Sequence, residues 1–249
     1  MADQPKRRPH RIAMWSGPRN LSTAMMRSFG ARSDCHVVDE PFYAAYLAES
    51  GIDHPMRAES MASQPMDWRQ AADALDAPTP HREPLQYEKH MTHHMRTSFG
   101  IDWIDDVTNA FLIRTPERVL ASYAKKREAV TLADIGFVEQ AQLFDRVADR
   151  LGTAPPVVDA EDIRRDPKAL LTALCAALAI PFDPAMLSWE AGPRATDGVW
   201  GAHWYGAVER STGFAPPDET LPSLPDDLRE IADQARPLYK RLWAARLTA

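Results

Sequence analysis

Short apolar strands, each followed by a turn or loop and then a helix, recur along this 249-residue chain and indicate its fold. The first is Arg11–Trp15, and a turn leads from it into a helix over about 21–32. The strand 110–113 precedes a helix in the same way, and a strand at 155–159 precedes a helix over 167–178. Strands that alternate with helices are typical of a parallel sheet.

The remaining periodic segments complete this pattern. Two further strands are predicted at Cys35–Val38 and 85–89, and a short helix at 98–108. Apolar positions three to four residues apart predict a helix over 134–152, and a last helix closes the chain at about 226–246. The sequence therefore predicts an α/β fold with three layers, in which a central parallel sheet is flanked by helices.

Composition indicates a globular protein and excludes several classes of function. Apolar residues make up 45% of the chain and charged residues 26%, an ordinary balance. The formal charge of −6 argues against a general nucleic-acid partner. No stretch approaches the ~20 apolar residues of a membrane span. Cys35 and Cys175 have the spacing of neither a disulfide framework nor a zinc site, which favours a soluble protein of the cytoplasm.

The segment Ser16–Thr23 joins the first strand to its helix and has the features of an anion-binding loop. Gly17 lets the backbone turn closely, Arg19 supplies a fixed positive fork, and the hydroxyl groups of Ser22 and Thr23 can donate hydrogen bonds. Free N–H groups at a helix start, together with the helix dipole, hold an anion without a net-basic protein.

This loop is not a Walker A loop, because Leu21 rather than Lys precedes Ser22. The difference argues against a mechanism that uses a nucleoside triphosphate and Mg²⁺. A second interpretation is a simple capped helix, in which Ser22 or Thr23 satisfies backbone donors.

A second pair of polar residues follows the strand 110–113. Arg114 ends that strand, and Ser122 lies eight residues further on, in the next helix. In a parallel sheet, Arg19 and Arg114 both lie at carboxyl ends of strands, where open α/β folds bind their ligands. Two anion sites at one edge indicate a ligand with two phosphate-like groups.

Together the two segments resemble the binding motifs of the sulfotransferase family that uses 3′-phosphoadenosine 5′-phosphosulfate (PAPS). Arg114, Pro116 and Ser122 match the family's segment for the 3′-phosphate. The resemblance covers about 11–40 and 85–190, and it implies a fold like that of P-loop nucleoside-triphosphate hydrolases. The first loop resembles the family's loop for the 5′-phosphosulfate, which implies contacts from Gly17, Pro18, Arg19, Asn20, Leu21, Ser22 and Thr23.

The resemblance implies an enzyme that moves a sulfuryl group from PAPS to a hydroxyl or amine of a small-molecule acceptor, without a metal. Arg19 would then act as a catalytic residue that stabilises the sulfuryl oxygens. Two alternatives stay open: a small-metabolite kinase of the same fold, and a nucleotide-binding module without catalysis. Bacterial and carbohydrate-acting members often carry Arg in the first loop, as here, but continue R-S-G-S-T rather than Arg19-Asn-Leu-Ser-Thr23.

Glu40 is the first candidate for the base that takes the acceptor's proton. It follows the second strand, at the same edge as Arg19, and resembles the base of bacterial carbohydrate sulfotransferases. Its other interpretation is a loop or capping carboxylate. The neighbouring Asp39 is expected to point elsewhere and cap the turn.

His90 is the second candidate for the base. It directly follows Lys89 at the end of the third strand, and the pair resembles the Lys-x-His segment of cytosolic sulfotransferases, one residue shorter. His93 and His94 lie close by in the sequence. No Cys or carboxylate triad accompanies these histidines, so we predict no metal site.

We expect a single domain over 1–249, with 1–10 flexible. Residues 43–84 interrupt the sheet after Glu40 and are expected to wall the acceptor pocket. Residues 189–249, rich in Trp at first, are expected to form a C-terminal lid and helix. In that segment Arg194 or Arg210 is a candidate contact for the 3′-phosphate, and a homodimer is compatible with the sequence.

Overall fold

Five parallel strands form the centre of the molecule. The computed structural model describes residues 8–77, 83–126 and 129–248. Its sheet has the strand order β2–β3–β1–β4–β5, and every pairing is parallel, as the sequence predicts. The strands are β1 (His10–Ser16), β2 (Cys35–Asp39), β3 (Leu85–Met91), β4 (Thr108–Ile113) and β5 (Val157–Asp159).

Helices follow or separate the strands. They are α1 (Ser22–Gly30), α2 (Tyr43–Ser50), α3 (Arg57–Ser63), α4 (Trp68–Asp76), α5 (Pro116–Tyr123), α6 (Phe137–Leu151), α7 (Ala160–Arg165), α8 (Pro167–Ala177), α9 (Gly201–Trp204) and α10 (Asp226–Trp243). Short 3-10 turns cover Thr92–His94, Asp102–Asp106, Ala133–Ile135 and Pro184–Leu187. Among the residues that the structure describes, no helix has the length and apolar character to cross a bilayer.

Alternation along β1 explains the three layers. Ile12 and Met14 are buried in one apolar cluster with α1 and α8, while Ala13 and Trp15 are buried in another with α6. Successive side chains of a strand point to opposite faces, so a strand with no polar face needs helices on both sides. The predicted α/β architecture is confirmed.

The predicted helix at 98–108 is wrong. A 3-10 turn covers Asp102–Asp106, and β4 already begins at Thr108. The Asn109 side chain donates to the carbonyls of Ile104 and Val107, at 2.7 and 3.1 Å. Such local side-chain bonds compete with helical ones, so the turn ends early.

The expected flexible start and the acceptor-side segment fall partly outside the described residues, which exclude 1–7 and 78–82. His10, expected to be flexible, opens β1 and is paired with Leu85 of β3. Residues 43–77 hold three helices, and most residues of the first, α2, are buried.

Candidate active site

The loop after β1 ends in a helix that has no side-chain cap. Arg19 and Leu21 both adopt left-handed backbone conformations, with φ of 61° and 70°. Leu21 stands at the N-cap of α1 and makes no side-chain cap hydrogen bond there. A Cβ on Gly17 would lie 2.5 Å from the Ile135 carbonyl oxygen, so only glycine fits. The capped-helix interpretation is therefore wrong, and the first N–H groups of α1 remain available to an anion.

Arg19 and Arg114 meet at the carboxyl edge of the sheet, as the sequence predicts. Arg19 Nε donates to Ser122 Oγ at 2.9 Å, and Arg114 Nη1 donates to the Arg19 carbonyl at 3.1 Å. Arg114 Nε also donates to Glu161 Oε1 at 2.9 Å. Three of the predicted ligand residues therefore form one contiguous group.

The positive charges of Arg19 and Arg114 are buried and lie close to other positive charges. Burial lowers the pKa of Arg19, and the charge of Arg114 lowers it further. Burial likewise lowers the pKa of Arg114, with Arg164 and Arg118 adding to the effect while Glu161 opposes it. Cations that depress one another's pKa in this way gain free energy when an anion binds between them.

A cavity of about 300 Å³ opens over this group, and we call it the anion cavity. The start of α1, Arg114 and Ser122 line it, together with eight residues between 204 and 215 of the C-terminal segment. Neither Arg194 nor Arg210 lines it; Arg164 does. Arg194 instead donates to carbonyls of its own loop, including that of Glu190 at 2.6 Å.

A second cavity of about 80 Å³ adjoins the first, and we call it the carboxylate cavity. The two share Arg19, Ser22, Thr23, Trp204 and Tyr205 as lining residues. The carboxylate cavity is further lined by Pro18, Glu40, Tyr43, His54, Lys89, Met91, His93, His94 and Tyr123.

Glu40 lies in the carboxylate cavity and is held by Lys89. Its backbone has a φ of 42°, an unfavourable value for a residue with a side chain, and its N–H bonds the Lys89 carbonyl at 2.9 Å. Lys89 Nζ donates to Glu40 Oε1 at 2.6 Å and to Asp39 Oδ1 at 2.9 Å. The strained turn after β2 therefore points a carboxylate at the site that Arg19 also lines.

Tyr205 joins the C-terminal segment to this buried group. Its hydroxyl donates to Asp39 Oδ2 at 2.7 Å and accepts from Lys89 Nζ and from Trp200 Nε1. Asp39 also accepts from the Gly198 N–H at 2.9 Å. Asp39 thus organises the site rather than capping a turn, contrary to expectation.

The charges in this group set the proton affinity of Glu40. Burial raises the pKa of the Glu40 carboxyl, and the Asp39 charge adds to the effect, while Lys89 offsets part of it. Burial also acts to lower the pKa of Lys89, but the two carboxylates outweigh it, so that pKa is raised. Lys89 therefore stays charged, and Glu40 is a carboxylate with increased affinity for a proton, as a general base requires.

The structure does not bring His90 to either cavity. Lys89 and Met91 face the carboxylate cavity, so the residue between them faces the other side of the sheet. There His90 is buried, stacks on Trp15 with ring centroids 4.5 Å apart, and bonds Glu88 at 3.0 Å. His93 and His94 do reach the carboxylate cavity.

The roles of Lys89 and Tyr205 in the site were not predicted from the sequence. Charge complementarity could have predicted the role of Lys89, because it is a cation near the end of β3 and is paired with Asp39 of β2. Tyr205 carried no such signal, because it lies 166 residues from Asp39 along the chain. Within the described ranges, no cluster of three or more His, Cys, Asp or Glu residues is arranged to hold a metal ion.

The sulfotransferase domain family matches residues 10–246, so this chain belongs to that family. Two relatives in Arabidopsis thaliana, the branched-chain-amino-acid aminotransferase-like proteins 2 and 1, are each 34% identical to it, over 93% and 94% of this chain. The matches cover 41% and 42% of those relatives, so the chain spans about two fifths of their length.

Solved structures of sulfotransferases share the fold. The sulfotransferase from Alicyclobacillus acidocaldarius aligns with a TM-score of 0.55 and 16% identity, covering 96% of each chain. The sulfotransferase domain from the curacin biosynthetic pathway aligns with a TM-score of 0.52 and 18% identity, covering 92% of this chain and 98% of that one. The predicted fold and family are thus confirmed: the chain carries a sulfotransferase domain.

Proposed function

We propose that this protein transfers a sulfuryl group from PAPS to a hydroxyl or amine of a small molecule. One observation carries the proposal: Arg19 and Arg114 are joined in a cavity that opens directly beside Glu40. A donor with anionic groups at both ends of a nucleoside fits two cationic sites in one cavity. A carboxylate next to that cavity fits an acceptor that must lose a proton.

The residues present fit the two ends of PAPS. The uncapped start of α1 and the Arg19 guanidinium would hold the 5′-phosphosulfate, since helix N–H groups and a fixed fork both suit tetrahedral anions. Arg114 and Ser122 would hold the 3′-phosphate. Burial is the main cause of the depressed pKa values of both arginines, and neighbouring arginines add to it. These pKa values support the assignment, because a bound anion would stabilise both charged groups.

Sulfuryl transfer forms a bond between the acceptor oxygen and sulfur and breaks the bond from sulfur to the phosphate oxygen, which keeps the electron pair. Arg19 would neutralise the charge that develops on that oxygen. Glu40 would take the acceptor's proton, and its raised pKa supports this role. Lys89, bonded to Oε1, would keep the carboxylate in place while Oε2 faces the acceptor.

Calorimetry with adenosine 3′,5′-bisphosphate, the donor without its sulfuryl group, tests this proposal without knowledge of the acceptor. We expect saturable 1:1 binding, weakened about tenfold or more in Arg114→Met, since a charge-assisted hydrogen bond contributes about 1.5–3 kcal/mol. Arg150→Met, an exposed arginine at the opposite edge of the sheet, is the control and should bind as the native protein does.

Absence of binding at millimolar nucleotide contradicts the proposal. Tighter binding of Mg²⁺–ATP than of the bisphosphate would support the kinase alternative. Nucleotide binding with no transfer to any acceptor in a screen would support the binding-module alternative.

The buried free thiols of Cys35 and Cys175 support a location in a reducing compartment such as the cytoplasm.

A further inference from the structure

Lys89 is shared by two carboxylates at the carboxylate cavity. An ammonium group has three protons, and Lys89 donates them to Glu40 Oε1 at 2.6 Å, to Asp39 Oδ1 at 2.9 Å and to the Tyr205 hydroxyl. The Lys89 side chain is 1% exposed. Lys89 therefore acts on a reaction in this cavity through the groups that it holds, because each of its protons already has an acceptor.

The two carboxylates are held to different degrees. Asp39 accepts from Lys89 through Oδ1, and its Oδ2 accepts from the Gly198 N–H at 2.9 Å and from the Tyr205 hydroxyl at 2.7 Å. Glu40 is held through Oε1, while its Oε2 lies 4.0 Å from His94 Nδ1, too far for a hydrogen bond. The hydrogen bonds thus fix both oxygens of Asp39 but one oxygen of Glu40.

The C-terminal segment supplies two of the donors that fix Asp39. Gly198 and Tyr205 both belong to it, and the Tyr205 hydroxyl also accepts from Trp200 Nε1 at 3.1 Å. Burial raises the pKa of Tyr205 well above its ordinary value, and the neighbouring carboxylates add to the effect, so the hydroxyl keeps its proton for Asp39. Trp204 of the same segment lines both cavities. The segment that walls the site therefore also fixes Asp39.

The sharing of Lys89 affects how strongly Glu40 attracts a proton. Burial raises the pKa of Glu40 most, Lys89 lowers it, and the charge of Asp39 raises it again. An ammonium group that paired with Glu40 alone would lower that pKa further, because an opposite charge favours the ionised carboxylate. Asp39 thus opposes the effect of Lys89 in two ways, through its own charge and by taking one of the ammonium protons.

We propose that Asp39 and Tyr205 are positioning residues for the transfer: they divide the Lys89 ammonium group between two carboxylates, so that Glu40 is held through one oxygen and remains a strong base. This rests on the proposed function, in which Glu40 takes the acceptor's proton, and it adds the two residues that prepare Glu40 for that step. The base is then complete only when the C-terminal segment is docked.

Other titratable side chains at the cavity also act on Glu40. They come from the loop after β1, from α2 and the loop after it, from the 3-10 turn after β3 and from α5, and they are Arg19, Tyr43, His54, His93, His94 and Tyr123. Burial lowers the pKa of His93 to about 3 and that of His94 well below its ordinary value, so both are neutral at pH 7. All six stay in place in the variants below, so a difference between variants reports on Asp39 or Tyr205.

Carbon NMR of protein labelled with ¹³C at the glutamate side-chain carboxyl group measures the titration of Glu40 without an acceptor. The signal of Glu40 is the one absent from Glu40→Gln. We expect Asp39→Asn to lower the midpoint of this titration by about one pH unit or more, because Lys89 then pairs with Glu40 alone. Tyr205→Phe should raise the midpoint by a smaller amount, because the hydroxyl, 3.4 Å from Glu40 Oε1, favours the charged carboxylate.

A similar pair at the opposite edge of the sheet provides matched controls. Asp159 also ends a strand, is buried, and accepts from the Tyr239 hydroxyl at 2.9 Å. Asp159→Asn and Tyr239→Phe should leave the Glu40 midpoint unchanged. The acid limb of turnover with labelled PAPS should move with the midpoint in each variant, whereas a loss of structure would lower turnover without moving that limb.

The outcomes separate this inference from the proposed function. A Glu40 midpoint that does not fall in Asp39→Asn, or that falls equally in Asp159→Asn, overturns the role of Asp39. A midpoint that does not rise in Tyr205→Phe overturns the role of Tyr205, and this variant decides the case if Asp39→Asn does not fold, since it removes one oxygen atom. If adenosine 3′,5′-bisphosphate does not bind, the proposed function fails whatever the titrations show.

Discussion

At the scale of single residues, the site depends on which way each strand-end side chain faces. Arg19 and Arg114 were predictable, because any residue at the carboxyl end of a parallel strand reaches the same edge. His90 was a candidate because of its position in the sequence. Side chains of β3 alternate between the two faces of the sheet, so Lys89 lines the cavity and His90 lies on the other face. A shift of one residue along the strand changes the face on which a side chain lies, and only the strand register shows which face that is.

The role of Glu40 leads to the first prediction. Glu40→Gln should lower turnover by about 10²–10⁴-fold, since an amide cannot accept the acceptor's proton, while affinity for adenosine 3′,5′-bisphosphate is retained. The measurements are steady-state kinetics with labelled PAPS and calorimetry on the same preparation. His90→Gln is the control and should keep its turnover.

The pH profile provides an independent check on Glu40. A base acts only when deprotonated, so native turnover should fall as the pH drops through the Glu40 pKa, which burial raises above its ordinary value. Unchanged turnover in Glu40→Gln, or an acid limb that persists in that variant, would show that another group takes the proton.

At the scale of elements, the C-terminal segment completes the site from a distance. Segment 197–205 supplies Tyr205 to the buried carboxylates and Trp204 to both cavities. Its conformation is fixed by contacts with α1, since Arg27 pairs with Asp197 at 2.7 Å and both side chains are buried. The sequence predicted a lid here from its aromatic residues and glycines, but not which side chains it would contribute, because these contacts span about 170 positions.

The Arg27–Asp197 pair leads to the second prediction. Asp197→Ala should lower the free energy of unfolding by about 3–5 kcal/mol, because it leaves a buried guanidinium without its partner. Urea denaturation followed by circular dichroism measures the loss. Asp233→Ala breaks an exposed pair with Arg236 on α10 and should cost no more than about 1 kcal/mol. Equal losses in the two variants would contradict the structural role of the buried pair.

At the scale of the whole molecule, buried neutral histidines link stability to pH. His93 has a pKa of about 3 in the folded chain, because burial disfavours its charged form and His54 adds to the effect. In the unfolded chain the pKa returns to about 6.5, so the unfolded state binds the proton first as the pH falls. The contribution of His93 is therefore complete above about pH 6.5 and is lost progressively toward pH 3.

This linkage gives the third prediction. His93 alone should make the free energy of unfolding about 2 kcal/mol smaller at pH 5 than at pH 7. Urea titrations at the two values measure the difference, and His93→Gln should reduce it by that amount. An identical pH dependence in the variant and the native protein would mean that the pKa of His93 is the same in the folded and unfolded states.

The overall fold was more predictable than the site. All five strands were predicted, four of them from short apolar runs, although β3 is mostly polar. The parallel arrangement followed from the intervening helices. Two short segments were not predicted correctly, and single side chains determine both. Asn109 holds the turn that replaces the predicted helix at 98–108, and Asp159 caps α7, which was not predicted. Local sequence patterns therefore predict the layers of the fold, whereas the arrangement of the site depends on contacts between residues far apart in the sequence.

A crystal structure of the protein with adenosine 3′,5′-bisphosphate would show whether Arg19 and Arg114 hold the two ends of one nucleotide. We predict the 3′-phosphate against Arg114 and Ser122, and the 5′-phosphate at the N–H groups that begin α1, beside Arg19 and within reach of the carboxylate cavity. The largest cavity described, about 470 Å³, lies at the opposite edge of the sheet, between Thr108 and Leu247. A nucleotide bound there, or one that leaves Arg19 and Arg114 without contact, would contradict the assignment of both arginines to donor binding.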